Sequence, residues 1–103
     1  MATAFEDVFG HRLYLDGDRR EHILAEHPEV RPYLKRLAEV FRFPEWVKRS
    51  RRNSQVHLYY RFYPDILNGK YLLGIAMIAP RSLVLTCYIT DSIKQGELLW
   101  PKL

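Results

Sequence analysis

From Val56 to Tyr63 the chain alternates with period two, the repeat of a β-strand. Val56, Leu58, Tyr60 and Phe62 form one side, expected to face a core. His57, Tyr59, Arg61 and Tyr63 form the other, expected to be a working face. Lys70 to Ala79 is an almost unbroken apolar run and predicts a central strand, with Gly74 marking a bulge or a close approach. Ser82 to Thr90 alternates again: Leu83, Leu85, Cys87 and Ile89 inward, Ser82, Val84, Thr86, Tyr88 and Thr90 outward. Pro64 to Gly69, with Asn68-Gly69 as its turn signal, and Pro80-Arg81 join these strands by short turns, which force antiparallel pairing.

Upstream the period changes. Asp18 and Glu21 read as a capping box opening a helix from Arg19 to about His27, with Ile23 and Leu24 as its stripe. His27-Pro28 ends it, because a residue before proline avoids the helical region. Val30, Tyr33, Leu34, Leu37, Val40 and Phe41 then fall at helical spacing and predict a second helix from Glu29 to about Arg42, with Pro32 in its first turn. Val8 to Leu15 reads as a short extended pair and Glu45 to Lys48 as a short strand. The tail from Asp91 carries Ile93, Leu98, Leu99 and Trp100 to pack. The expected fold is α+β, a single domain over residues 1–103: two N-terminal helices on one face of a three- to four-stranded antiparallel sheet. The other face is then expected to display His57, Tyr59, Arg61, Thr86, Tyr88 and Thr90.

Composition narrows the function classes. The 103 residues suffice for one two-layer core. The one cysteine, Cys87, excludes an intramolecular disulfide and lies in an apolar run as a small core residue. No apolar run approaches the roughly 18–20 residues of a membrane span, and the N-terminus lacks the pattern of a signal peptide, so a cytoplasmic protein without membrane contact is expected. The net charge of +4 is unevenly distributed: residues 1–30 carry seven acids and three bases, residues 31–103 five acids and thirteen bases. Lys48, Arg49, Arg51 and Arg52 crowd into KRSRR just before the His- and Tyr-bearing strand. Cations that neutralise phosphates, followed by aromatic faces, suit nucleic acid.

No nucleotide-binding fingerprint occurs. His22 and His27, about 140° apart around a helix, cannot clamp one ion. No metal or other cofactor is expected, and metal-free acid–base chemistry remains, for which His, Tyr, Lys and Arg suffice. His11, His22, His27 and His57 are the candidate imidazoles.

The segments EHILAEHPEV, FPEWVKRS, LYYRFY, KYLLGIAMI and TCYITDSIKQGELLWPK follow one another in an order that resembles the PBECR group. These are small phage-associated domains assigned to the barnase–EndoU–colicin–RelE class of RNases. The resemblance spans about residues 7–102. It implies a BECR-like sheet and a metal-independent endoribonuclease, with the polar positions of the motif at His22, His27, Arg49, Ser50, Tyr60, Lys70, Thr90 and Lys94. Tyr60 thereby departs from the strand parity above unless a bulge reverses it. The catalytic candidates are His22, His27, Tyr60, Thr90 and Lys94. The RNA-binding candidates are Lys48, Arg49, Ser50, Arg51, Arg52, His57, Tyr59, Arg61, Lys70 and Tyr88. The alternatives are a non-catalytic nucleic-acid-binding module and a toxin-like domain held by an acidic antitoxin or immunity protein.

Overall fold

In the computed structural model the described residues form a seven-stranded sheet, in the order β1-β2-β6-β5-β4-β3-β7. The structure describes residues 2–102; Met1 and Leu103, the ends of the expected domain, lie outside the described residues. The strands are β1 (Thr3–Glu6), β2 (Arg12–Leu15), β3 (Trp46–Arg49), β4 (Val56–Tyr63), β5 (Lys70–Met77), β6 (Leu83–Thr90) and β7 (Glu97–Trp100). Between β2 and β3 lie α1 (Gly17–Glu26), a 3₁₀ segment (Pro28–Arg36) and α2 (Leu37–Arg42).

The expected three- to four-stranded sheet is thus corrected to seven strands. The central β4-β5-β6 meander is antiparallel throughout, with Tyr59 opposite Gly74 and Gly74 opposite Cys87. The additional strands are all short. β1 pairs antiparallel with β2, β2 meets β6 in parallel at Tyr14 and Leu83, and β7 pairs antiparallel with β3. Of the four-residue strands, β3 lies one residue along from the expected Glu45–Lys48 and β2 falls within the expected Val8–Leu15 pair, whose partner strand is instead Thr3–Glu6, while β1 and β7 have too few alternations to stand out.

The helices also differ in detail. Asp16 caps α1 by accepting from the Arg19 amide at 2.7 Å, so the helix begins before the expected Asp18. The second helix divides. Pro32 lacks the amide that an α-helical bond would need, and the chain runs as 3₁₀ turns until Leu37.

One face of the sheet buries Leu13, Val47, Tyr59, Leu72, Ala76, Val84 and Cys87 against Ile23, Val30, Leu37, Val40 and Phe41 of the helical layer. Burial among apolar neighbours, with Glu29 adding to it, pushes the Cys87 thiol up to about 12. Gly74 makes a close approach: a β-carbon there would lie 2.8 Å from the Phe41 ring and 3.2 Å from Leu37. A bulge falls between Ile75 and Ala76, opposite Val84 to Thr86, which turns Val84 inward against the expected alternation.

The parity of β4 is the reverse of the expected one. His57, Tyr59 and Tyr63 are buried on the helix-covered side, while Leu58 and Tyr60 belong to a second cluster on the opposite face. The helical layer supplies partners for the polar tips. The Tyr59 hydroxyl donates to buried Asp7 at 2.5 Å, and the Tyr63 hydroxyl donates to Glu39 at 2.6 Å. Arg61 sits 3.3 Å from Glu39 and donates to the Phe43 carbonyl at 2.6 Å. The two phenol tips are satisfied from above, so Tyr59 and Tyr63 can be buried, whereas Arg61 stays partly exposed. Leu58 and Tyr60 are buried for another reason. Strand order places β6 and β7 on opposite sides of β5, β4 and β3, so the connection Asp91–Gly96 must cross the sheet. Ile93 packs on Leu58, Tyr60 and Leu73 as it does so.

Candidate functional site

The crossing connection and the arginine loop enclose a cleft of about 470 Å³ on the face away from the helices, lined by Ser50, Arg51, Arg52, Val56, Leu58, Ile75, Lys94 and Gln95. Strand β3 delivers the arginines to this edge. Lys48 stands opposite Leu58, and the chain then turns through Ser50 to Asn53 before entering β4. The Ser50 hydroxyl accepts from the Arg52 amide at 3.2 Å, which shapes the turn. Arg51 donates to the Gln95 side chain at 2.8 Å and ties the two walls together. The floor is apolar and the rim carries three cations, an arrangement suited to an anionic chain with an apolar part.

Beside the cleft the structure brings together His27, Tyr88 and Lys94. Tyr88 stands opposite Leu73 on the same face as Tyr60. The His27 ring stacks on Tyr88, with 5.2 Å between ring centres and 29° between planes. The Lys94 ammonium lies 6.0 Å from the centre of the Tyr88 ring. His27 reaches this face from the end of α1 because β2 pairs with β6 only at Leu83, and the junction of α1 with the 3₁₀ segment covers the rest of that edge. Glu29 lies 3.6 Å from His27 Nδ1, beyond hydrogen-bond length but close enough to attract a protonated ring. Sequence reasoning passed over Glu29, although it stands two residues after His27 in the HPE triplet.

Tyr60 is fully buried, and its hydroxyl accepts from the Lys94 amide at 3.0 Å. Burial pushes its phenol up, the Lys94 amide pulls the other way, and Tyr88 adds to the rise. Tyr60 is therefore a positioning residue that holds the backbone of Lys94. The Thr90 hydroxyl serves the turn after β6, taking the Ser92 amide and reaching the Ser92 carbonyl, each at 3.2 Å. The Thr86 hydroxyl, opposite Ile75, is buried without a hydrogen-bond partner on the cleft face.

Other candidates lie elsewhere. His22 pairs with Glu26 at 2.9 Å and borders a hollow with Asp16, Asp18 and Arg19, whose carboxylates disfavour phosphate. His57, Tyr59 and Arg61 occupy the helix-covered side, as described. Arg49 stands opposite His57 and shares that side, pairing with Glu97 at 3.0 Å. Lys70, opposite Tyr63, lies 3.9 Å from Asp91 at the other end of the sheet.

Among the described residues no three or more His, Cys, Asp or Glu side chains gather as metal ligands, and no helix is long and apolar enough to cross a membrane. No protein-family model, curated protein or solved structure matches the chain.

Proposed function

We propose that this protein is a metal-independent endoribonuclease whose active site is the cleft at Ser50–Arg52 and Lys94 together with the His27–Tyr88 stack. The convergence of an imidazole, a phenol and an ammonium beside an arginine-rimmed cleft carries this reading. Arg51, Arg52 and Lys94 hold the scissile phosphate and meet the charge that grows on the phosphorane. His27 takes the proton from the 2′-hydroxyl, whose oxygen bonds to phosphorus. The bond from phosphorus to the 5′-oxygen breaks, and the Tyr88 phenol protonates that leaving oxygen. The products are a 2′,3′-cyclic phosphate and a free 5′-hydroxyl. The resemblance of the HPE, LYY, TCYIT and LWPK segments to the PBECR group supports the same reaction class and implies RNA as the substrate; a cytoplasmic location belongs to the same proposal.

Incubation with mixed RNAs in EDTA, followed by mapping of the ends, tests the reading. Cyclic-phosphate ends formed in EDTA are expected. Activity lost in EDTA and restored by a divalent ion would overturn it. RNA binding without cleavage would identify a binding module instead.

A further inference from the structure

A second cluster of chemistry-bearing side chains lies on the helix-covered side, away from the cleft. A hollow of about 250 Å³ is lined by Phe9, His11, Arg49, His57, Leu99 and Lys102. Its groups come from four parts of the chain: the β1–β2 turn, β3, β4 and the segment from β7 onward.

The turn is built around Asp7, whose side chain is fully buried. Asp7 Oδ1 accepts from the amides of Phe9 at 3.0 Å and His11 at 2.7 Å. Oδ2 accepts from the Tyr59 hydroxyl at 2.5 Å and from His11 Nδ1 at 2.9 Å. The carboxylate is fully engaged, and His11 is fixed with Nδ1 toward Asp7 and Nε2 on the other side of the ring. The His57 ring lies 6.3 Å from that of His11. His57 is 9% exposed, and its Nδ1 is buried without a hydrogen-bond partner. Phe9 meets His11, His57 and Trp100 edge to face and packs the rings in place. Among the described residues, the charged and titratable groups around His57 are Asp7, His11, Arg49, Tyr59, Glu97 and Lys102. Asp7 is occupied as described, and Glu97 is paired with Arg49 Nε. Asp7 and Glu97 offset Arg49 and Lys102 in charge but are engaged, so the groups left to meet an anion are donors: the two imidazoles, Lys102 and the rest of the Arg49 guanidinium.

We propose that this hollow is a second binding site, taking a phosphate group as free phosphate or as a phosphomonoester. Two imidazoles can each donate to a phosphate oxygen, and Arg49 and Lys102 supply the charge. An apolar wall of Phe9 and Leu99 leaves room for part of an ester. Desolvation first, then Arg49 and His11, hold His57 below the usual imidazole range, so it is neutral in the free protein near neutrality. Phosphate favours the protonated ring, and binding is accompanied by proton uptake.

The test follows the His11 and His57 imidazole resonances of the full chain by NMR at constant ionic strength. Inorganic phosphate and a nucleoside monophosphate are titrated separately, with chloride as the control. Saturable shifts of both rings are expected. His57→Gln and Arg49→Ala are each expected to weaken binding about tenfold or more, the loss of one hydrogen bond to a charged group. Amide spectra verify that both variants stay folded, and wild-type binding by the Arg51→Ala/Arg52→Ala variant separates this site from the cleft. Tighter binding of the nucleotide assigns the phosphate to an ester; equal binding assigns it to the free ion. Shifts that chloride reproduces, or binding that survives in folded His57→Gln and Arg49→Ala proteins, would reveal an adventitious ion only and overturn the proposal.

Discussion

His27 and Tyr60 are both catalytic candidates of the sequence, yet the structure places them in different surroundings. His27 is partly exposed and stacked on Tyr88, free to meet a substrate. His27→Ala is expected to lower cleavage by about 10²- to 10⁴-fold, the usual worth of one positioned acid or base, with an unchanged circular-dichroism spectrum. Wild-type turnover in a folded His27→Ala protein would remove it from the mechanism. Tyr60 acts through Lys94, so Tyr60→Phe, which keeps the ring and loses the hydroxyl, should lower kcat more than it raises KM. The split matters, because a purely structural loss would lower thermal stability without favouring kcat. His57 gives a prediction in pH. Its folded pKa lies below the unfolded value, so the unfolded chain takes the proton first as pH falls. Its contribution is flat above about pH 6.5 and becomes destabilising as pH drops from there toward the lower folded value. Urea midpoints should therefore fall less steeply toward acid in His57→Gln than in the parent, and equal slopes would contradict the assignment. The imidazoles were visible in the sequence, but not their partners. Glu29 stands in the HPE triplet beside His27, but nothing in the sequence pairs Asp7 with His11 and Tyr59.

At the scale of elements, legibility followed length. The eight-residue strands β4, β5 and β6 carry enough alternation to be read, and their antiparallel order follows from the turns. The four-residue strands β1 and β7 do not, and the parallel contact of β2 with β6 rests on a single pair, Tyr14 with Leu83. Parity in β4 was legible as a period but not as a direction. Both alternating sets mix aromatic with polar atoms, and only the partners Asp7 and Glu39 decide that Tyr59 and Tyr63 go under the helices. Gly74 reads in the sequence as a bulge or a close approach; the structure puts the close approach at Gly74 itself and the bulge just after it, between Ile75 and Ala76. A methyl group there would lie 2.8 Å from the Phe41 ring and 3.2 Å from Leu37, two side chains that are themselves fully buried. Gly74→Ala is expected to cost about 1–3 kcal/mol by overpacking, measured as a shift in the urea midpoint with little change in slope. A midpoint equal to the parent's would mean that Phe41 and Leu37 can move aside freely.

Across the whole molecule, charge and topology converge on one edge. The acidic first third of the sequence supplies β1, β2 and α1, including the carboxylates around His22, whereas the cations of Ser50–Arg52 and Lys94 line the cleft on the opposite sheet face. The sequence disclosed this asymmetry but not its geometry, because Arg49 and Arg51 are neighbours in the chain and yet serve opposite faces. β3 ends at Arg49, the turn that follows carries Arg51 round to the other face, and the crossing connection then lends the cleft Lys94 and Gln95 from more than forty residues downstream. Only the subset on the cleft face should contribute to RNA affinity. Each phosphate contact to a single strand adds about 0.7 to the slope of log affinity against log salt. Arg51→Ala/Arg52→Ala should flatten that slope by about 1.4 if each arginine meets one phosphate, whereas Arg49→Ala should leave it close to the parent value. Filter binding of a labelled single-stranded RNA across a salt series measures all three proteins. A parent slope near zero would refute electrostatic recognition altogether. A large loss of slope from Arg49 alone would place the RNA on the helix-covered side, and with it the cleavage site.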